Sequence, residues 1–243
     1  MSKIEYRTLN DRAYEQIKKG LISGAFRSGQ TLVIRTLAST YGISTTPVRE
    51  ALQRLVAERH LELLPNRSIV VPLLSADRFV ELFRIRRELE GLAGELATPH
   101  FRSAHIARLQ GLVDAMDKTL AEAGGGYQAL NQKFHFTIYE RADSPVLMTM
   151  IQNMWSQVGP FFNELTEDEA FVTKANDEHR LILAALAAKD AVAVRRHLST
   201  DISVAADHLI PRLKRLEAGD RSTLVQPRVE QPERAAQQRQ RNQ

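Results

Sequence analysis

The chain contains no cysteine and no hydrophobic run of the roughly 18–20 residues that a membrane-spanning helix needs. Without cysteine it has no disulfide, no thiolate metal ligand and no cysteine nucleophile. Its first residues, MSKIEYRTLNDRAYEQIKKG, lack the apolar core of a signal peptide. These absences predict a soluble, cytoplasmic protein without a membrane partner.

An excess of charge of one sign is also absent. The 33 Lys and Arg residues outnumber the 29 Asp and Glu residues only slightly, for a formal net charge of +4 at pH 7. This balance permits a polyanionic partner but does not require one. The 243 residues fit two domains, and a hydrophobic content of 43% suffices for ordinary cores. Composition thus predicts two soluble domains but no specific function.

The N-terminal part of the sequence has the pattern of three short helices followed by a hairpin. Apolar residues recur at every fourth position from Leu9 to Leu21, and a glycine follows each of the first two helical segments. The predicted helices cover residues 9–23, 34–41 and 45–58. Apolar and β-branched runs on both sides of PNRS (65–68) predict a two-stranded hairpin. This order within residues 1–74 is that of a winged helix-turn-helix domain.

The rest of the chain has the pattern of long helices. No strand pattern follows Pro72, so residues 75–213 predict an all-helical bundle and a mainly α fold class. The predicted helical segments are the stripe 79–93 and residues 106–123, 127–142, 145–165, 173–188 and 191–213. Asp190 is placed to cap the last of them. Residues 214–243 are polar and rich in Gln and Arg, which predicts a disordered C-terminal tail.

The segment STTPVREALQRL (44–55) has the pattern of a helix that meets DNA with its N-terminus first. On a helical wheel the apolar face holds Val48, Ala51, Leu52 and Leu55, and the polar face holds Thr46, Arg49, Glu50 and Gln53, with Thr45 at its edge. Ser44 can cap this helix, and Pro47 lies in its first turn, where a missing N–H costs little. The dipole and free N–H groups at this end attract phosphate, while Arg49 can reach a base edge.

We therefore predict DNA contacts from this polar face, from the preceding helix and from the hairpin tip. The predicted contact residues are Arg35, Ser44, Thr45, Thr46, Arg49, Gln53 and Arg67. The alternative for Arg49 alone is an ordinary solvated surface arginine. The Gly-Ile-Ser turn, the proline at the helix start and the following hairpin together favour DNA binding.

These motifs resemble the DNA-binding domain of GntR-type bacterial transcription regulators. The resemblance spans roughly residues 7–74 and rests on ISGAFRSGQTL, LASTYGISTTPVREALQRLVAE and LLPNRSIVV. It implies a protein that binds a double-stranded DNA operator. The chain departs from the family pattern at Thr45, where Arg is usual, at Ser28, where Pro is common, and at Ser68, where Gly is usual. The missing Arg at 45 removes one expected guanine or phosphate contact, so the operator sequence cannot be copied from relatives.

Two histidines of the helical region, His135 and His179, lie beside apolar helix stripes. Asn131 precedes His135 by one turn, and His197 precedes Asp201 by one turn on the last predicted helix. Such donors converging in a bundle core would suit Zn²⁺ or another divalent ion. No short-spaced motif such as HExxH is present, and single helical histidines are more often core or surface residues. Spacing alone therefore predicts no metal site.

A second resemblance favours a metal site at these residues. The segments FRIRRELEGLAGELA, NQKFHFTIY and DEHRLILAALAAKDAVAVRRHL are similar to the FCD domain, the FadR-type ligand-binding domain of the same superfamily. Many members bind a metal through Asp-x-x-x-His on one helix and two later histidines. Carried over, these positions are Asn131, His135, His179 and Asp201, with His197 as the alternative to Asp201.

The resemblance implies a divalent metal that faces a small carboxylate effector. Asn131 supplies an amide oxygen without charge, and Asp201 restores the negative charge. This set is more oxygen-rich than the three-histidine version, which favours Mn²⁺ alongside Zn²⁺ or Ni²⁺. Arg86 matches an arginine that recurs near the effector cavity and would neutralise the carboxylate. An ordinary salt bridge to Glu90 is the alternative for this arginine.

These observations predict a metabolite-responsive, sequence-specific transcriptional regulator, with repression favoured although the sequence does not distinguish repressor from activator. One winged helix reads too few base pairs for specificity, so we expect a homodimer on paired half-sites. The apolar residues Phe79, Leu82 and Phe83 form either a dimer surface or internal core. The alternatives are a metal-free effector site, a DNA-binding protein without an effector, and a metal-dependent enzyme anchored to DNA. No general base accompanies the histidines, since Glu178 lies on a different face, so we predict no enzyme.

Overall fold

The structure, a computed structural model, describes residues 8–121, 126–162 and 169–219. The helices are α1 (Leu9–Ile22), α2 (Ile34–Tyr41), α3 (Thr45–Ala57), α4 (Ala76–Ala97), α5 (Ser103–Ala121), α6 (Tyr127–Tyr139), α7 (Pro145–Phe162), α8 (Glu169–Ala187) and α9 (Ala191–Glu217). Short 3-10 helices at Thr98–His100 and Glu140–Ala142 follow α4 and α6. The strands are β1 (Glu62–Leu63) and β2 (Ile69–Val70). The predicted fold class, a winged helix-turn-helix followed by a helical bundle, is confirmed.

The first three helices and the hairpin, which we call the head, enclose a core of their own. A reciprocal capping box starts α1, because Thr8 Oγ1 accepts from the Asp11 N–H and the Asp11 carboxylate accepts from the Thr8 N–H. The core of the head is built from fully buried apolar residues of α1 and α3, among them Ile17, Leu21, Leu52 and Leu55. Burying each such side chain stabilises the fold by roughly 1.5–3 kcal/mol.

The hairpin has one contact more than the sequence predicts. Its strands pair antiparallel, with Glu62 opposite Val70 and Leu63 opposite Ile69. Thr31, in the link between α1 and α2, forms an isolated bridge to Val70. A single bridging residue leaves no alternating pattern in the sequence, so this extension of the sheet could not be predicted.

Helices α4–α9, which we call the bundle, share a second hydrophobic core. Phe79, Leu82 and Phe83 are almost completely buried in it, and the Phe79 and Phe83 rings stack at 4.6 Å. They are therefore internal core, which is one of the two alternatives that the sequence left open for these residues. Hydrophobic periodicity marks a buried face but does not tell whether another helix of the same chain buries it.

The ends of the bundle are fixed by caps. Asp190 caps α9 as predicted, accepting a hydrogen bond of 2.9 Å from the Ala193 N–H. The last helix continues beyond the predicted end at Leu213, and Glu217 accepts a hydrogen bond of 2.8 Å from the Ala76 N–H at the start of α4. Residues 220–243 of the predicted tail lie outside the described residues. None of the described helices combines the length with the apolar composition that a membrane span requires.

The head packs on the bundle through α1 and α7. Gly159 of α7 lies so close to the end of α1 that a Cβ atom there would come within 2.6 Å of the Ile22 carbonyl oxygen. The Lys18 ammonium donates to Asn153 at 2.8 Å, and Ser156 Oγ lies 2.8 Å from Nδ1 of the buried His60. A polar and sterically tight contact thus joins the head to a bundle helix.

Candidate functional site

The polar face of α3 is exposed along its whole length. Its exposed residues are Thr45, Thr46, Arg49, Glu50 and Gln53. The opposite face is completely buried, as the helical wheel predicts. Glu50, an acid on the exposed face, accepts a hydrogen bond of 2.9 Å from Asn10 of α1. This polar face therefore presents uncharged side chains, one carboxylate and the Arg49 guanidinium to solvent.

The N-terminus of α3 differs from the prediction in one respect. Ser44 occupies the N-cap position, but its side chain makes no capping hydrogen bond, so the predicted cap is wrong. The first N–H groups of a helix have no intrahelical partner. Without a side-chain cap they remain open to a phosphate oxygen, which a helix N-terminus favours.

The other predicted DNA contacts lie exposed on the head. Arg35 is in the first turn of α2, and Arg67 is in the hairpin turn with a left-handed φ of 65°. An Asx-type hydrogen bond of 3.0 Å from the Ser68 N–H to Asn66 Oδ1 shapes this turn. Within the described ranges, the guanidinium groups of Arg49 and Arg67 form no ion pair. They are free to contact a polyanion.

In the interior of the bundle, His135 of α6, His179 of α8 and Asp201 of α9 meet. The Nε2 atom of His135 lies 3.3 Å from Asp201 Oδ2, and that of His179 lies 3.5 Å from Asp201 Oδ1. Ligand atoms about 2.1 Å from one tetrahedral ion are about 3.4 Å apart. The three buried side chains are therefore spaced as ligands of a common ion would be.

The hydrogen bonds around His135 fix which of its ring nitrogens carries the proton. Tyr139 Oη donates to Glu90 at 2.6 Å and lies 3.1 Å from His135 Nδ1. Because the tyrosine proton is already engaged with the carboxylate, its oxygen can only accept from Nδ1–H. In the neutral ring the lone pair is then on Nε2, which faces Asp201.

The hydrogen bonds around His179 lead to the same arrangement. Asn176 Nδ2 donates to Asp117 at 2.8 Å, and Asn176 Oδ1 lies 3.1 Å from His179 Nδ1. An amide oxygen only accepts, so His179 Nδ1 carries the proton. The Nε2 lone pair of this ring also faces Asp201. Both rings are thus oriented by partners on Nδ1, as metal-ligating histidines usually are.

The electrostatics of the cluster favour a cation between these atoms. Burial lowers the pKa of His179 to about 4, so the ring is neutral at pH 7. His179 Nε2 is buried and has no hydrogen-bond partner within the described residues. A lone pair that faces a carboxylate is repelled unless a cation lies between them, so this donor set fits a divalent metal ion.

The cluster borders a cavity of about 30 Å³, which Asn131, Arg86 and Trp155 also line. That volume holds an ion with one or two waters rather than a whole metabolite. Arg86 forms the alternative salt bridge, with its Nε 2.6 Å from Glu90 Oε1. Its Nη1 is nevertheless buried without a hydrogen-bond partner in the described part of the chain. One N–H group of the Arg86 guanidinium therefore remains without a hydrogen-bond acceptor beside the cluster.

His197, the alternative ligand, does not join the cluster. Its Nδ1 lies 3.1 Å from Glu178 Oε2, at a half-buried position on another side of α9. Glu178 is thereby also directed away from His179. Of the predicted metal set, the structure brings together His135, His179 and Asp201, with Asn131 on the wall of the same cavity.

Sequence reasoning missed the residues that hold the ligands. Tyr139 lies four residues after His135, and Asn176 lies three residues before His179. Both spacings place the partner on the ligand's own helix face, so the i,i+4 and i,i+3 pattern was a usable signal. Glu90 and Asp117 lie on other helices, and no local pattern could connect them to the histidines.

Helix α7 separates this cluster from the head. Trp155 packs beside His135, with ring centroids 5.8 Å apart, and the Arg86 guanidinium lies 4.8 Å from the indole ring. The next residue, Ser156, contacts His60 of the head. Adjacent residues of one helix thus contact the cluster cavity and the head.

Comparison with known proteins gives matches to both halves of the chain. Residues 9–71 match the model of the bacterial regulatory proteins of the gntR family, and residues 81–203 match the FCD domain. The HTH-type transcriptional regulator McbR of Escherichia coli is 34% identical over 81% of this chain and 90% of its own length. The transcriptional repressor GlaR of the same organism is 26% identical over 79% of this chain and 93% of its length. The solved structure of E. coli McbR/YncC superimposes with a TM-score of 0.75, at 32% identity, over 87% of this chain and 100% of that one.

Proposed function

Because this chain belongs to the GntR family of bacterial regulatory proteins and carries an FCD domain, we propose that it senses a small carboxylate beside a bound divalent metal ion. As a member of this family it is a transcriptional regulator and not an enzyme. The observation that carries the sensing proposal is the pair of histidine Nε2 atoms that face one buried carboxylate.

The head would bind a DNA operator through the N-terminus of α3. The open N–H groups of that terminus would hold a phosphate, Arg49 would reach a base edge, and Arg67 would contact the backbone or the minor groove. A single head spans too few base pairs for specificity, so the binding species would be a homodimer on two half-sites. Its site of action would be the cytoplasm, where the bacterial chromosome lies. We favour repression, and the relative GlaR is a transcriptional repressor.

The metal would be held by His135, His179 and Asp201, with Asn131 as a fourth, neutral ligand. Two nitrogen and two oxygen donors suit Mn²⁺, Zn²⁺ or Ni²⁺. The metal would supply a positive charge that polarises and orients a carboxylate. The unpartnered Nη1 of Arg86 would donate to the same carboxylate, while Glu90 keeps the guanidinium in place.

The signal would pass through α7. An effector that displaces Trp155 would change the packing on one side of this helix, and the head contacts the other side through Ser156. The effector can change operator affinity only to the extent that it binds one position of the head relative to the bundle more tightly than another.

The metal proposal is tested by metal analysis of the purified protein and its variants. We expect one divalent ion per chain in the wild type and little in His135→Ala or His179→Ala. His197→Ala is the matched control, since this histidine lies outside the cluster, and it should retain the ion. Retention of the ion by both cluster variants would exclude the proposed ligands.

The effector proposal is tested by thermal unfolding and operator binding with a panel of small carboxylates, before and after treatment with a chelator. A sensor that needs the metal responds to one acid class only in the metal-loaded protein. A response that survives chelation would favour the metal-free effector site. Operator binding that no acid changes, in a metal-loaded protein, would contradict sensing while leaving DNA binding intact.

A further inference from the structure

We propose that a second cavity, between the head and the bundle, is a binding site for a small oxyanion, a phosphate or a dicarboxylate. The site is distinct from the histidine cluster, and the inference does not rest on the metal. Its walls come from both halves of the chain, so an occupant would contact head and bundle at once.

The cavity has a volume of about 230 Å³. Its lining residues are Arg59, His60 and Val71 of the head, Pro72 and Leu74 of the connection, and Arg78, Ser156 and Gln157 of the bundle. Pockets for drug-sized ligands start at roughly 300 Å³, so this one suits a molecule of a few heavy atoms. The cavity at the histidine cluster, at about 30 Å³, is far smaller.

Two guanidinium groups give this cavity its chemical character. Arg59 follows the C-terminus of α3, and its side chain has no hydrogen-bond or ion-pair partner among residues 8–121, 126–162 and 169–219. Arg78, in the first turn of α4, pairs through Nη1 with Glu81 at 2.6 Å and keeps its other N–H donors. The unpaired charge of Arg59 and the free N–H donors of Arg78 favour an anion, and the planar guanidinium matches a carboxylate or phosphate.

The remaining walls divide into a polar and an apolar part. Ser156 Oγ of the bundle and the His60 ring of the head form a hydrogen-bonded pair at 2.8 Å. Val71, Pro72 and Leu74 add a hydrocarbon surface to the lining. Charged, polar and apolar walls together are typical of sites for small organic anions.

The anion would not be a DNA phosphate. The DNA-binding end of α3 is its N-terminus, and Arg59 lies beyond its C-terminus. A 13-residue helix is about 20 Å long, so the cavity is at the end of the head that faces away from DNA. An anion between Arg59 and Arg78 would instead tie the head to α4 and favour one head placement over others.

The test is calorimetric titration of the full-length protein with inorganic phosphate and, separately, with succinate, in chloride buffer of constant ionic strength. The variants are Arg59→Gln and Arg78→Gln. Glutamine is chosen at 59 because the residue has a left-handed φ of 62°, and glycine would relieve strain and change stability by itself. Arg84→Gln is the matched control, because Arg84 is an exposed arginine of α4 that does not line the cavity.

We expect saturable binding of at least one of the two anions by the wild type. Each cavity variant should weaken the Kd about tenfold, because it removes charge-assisted hydrogen bonds, and Arg84→Gln should leave it unchanged. Chelator-treated wild type should bind equally well, which separates this site from the metal cluster. Preference for phosphate or for succinate identifies the class of oxyanion. Absence of saturable binding, binding that survives both cavity variants, or binding that chelation abolishes would each overturn the proposal.

Discussion

Replacing Gly159 of α7 by alanine tests the close contact between the end of α1 in the head and α7 in the bundle. The added Cβ would lie 2.6 Å from the Ile22 carbonyl oxygen and closer still to that of Leu21. Favourable contacts between carbon and a carbonyl oxygen are about 3.3–3.6 Å. Both oxygens belong to the backbone at the buried end of α1, so they cannot rotate away as a side chain would.

Two effects of opposite sign decide the outcome. Alanine within a helix is favoured over glycine by about 0.5–1 kcal/mol. Overpacking of a closed contact costs about 1–3 kcal/mol, and here α1 as a whole must shift to relieve it. The second effect is larger, so we expect Gly159→Ala to lower the free energy of unfolding by about 1–2 kcal/mol and to loosen the head.

Gly111→Ala on α5 is the matched control, because a Cβ there meets nothing within 4 Å. It should show only the helix-propensity gain of about 0.5–1 kcal/mol. Urea unfolding followed by the fluorescence of Trp155, the single tryptophan, reports on the bundle core in which it is buried. Limited proteolysis in the connection after Val71 reports on the head. If Gly159→Ala stabilises the protein as Gly111→Ala does, the tight contact between α1 and α7 does not exist.

Three further predictions concern single residues. Arg49→Ala should weaken operator binding by about 1–3 kcal/mol in an anisotropy titration, while Arg84→Ala on the bundle should not; equal binding would mean that α3 does not contact the bases. Tyr139→Phe removes the acceptor of His135 Nδ1–H and should weaken metal affinity about 10–100-fold without abolishing it, as measured by competition with a chelator. Burial lowers the pKa of His60 to about 4, so the folded state favours the neutral ring. The resulting contribution to the free energy of unfolding is fully present above the unfolded pKa of 6.5 and is lost as pH falls towards 4. Between pH 7 and pH 5 the urea-unfolding free energy should fall by about 2 kcal/mol more in the wild type than in His60→Gln, and equal losses would contradict the burial of this ring.

The elements of the fold could be predicted from local signals. The α2 helix has the predicted bounds, 34–41, because Gly42 adopts the left-handed conformation that ends a helix. Asp190 caps α9, and the wheel of α3 gives its buried face, because both depend on residues within a few positions of each other. The predicted cap at Ser44 is wrong because a residue suitable for the N-cap position does not always form the capping hydrogen bond.

The candidate metal cluster was predictable only in part. His135, His179 and Asp201 lie on three helices, and their spacing alone predicted no site; the family resemblance supplied the pairing. The same limit explains why the contact between His60 and Ser156 was not predicted, since 96 positions separate these residues. Hydrophobic periodicity shows which face of a helix is buried, but which other element packs on that face depends on the fold of the whole chain.

The position of α7 supplies a route by which the proposed sensing would be coupled to DNA binding. Its Trp155 touches the cluster cavity, while Asn153, Ser156 and Gly159 contact the head. A helix with the ligand on one side and the head on the other can transmit a small displacement between them. The oxyanion cavity also borders α7 at Ser156. Two ligands that bias the same helix are coupled thermodynamically, so an anion between head and bundle would change the affinity for the effector by the same factor as the effector changes the affinity for the anion.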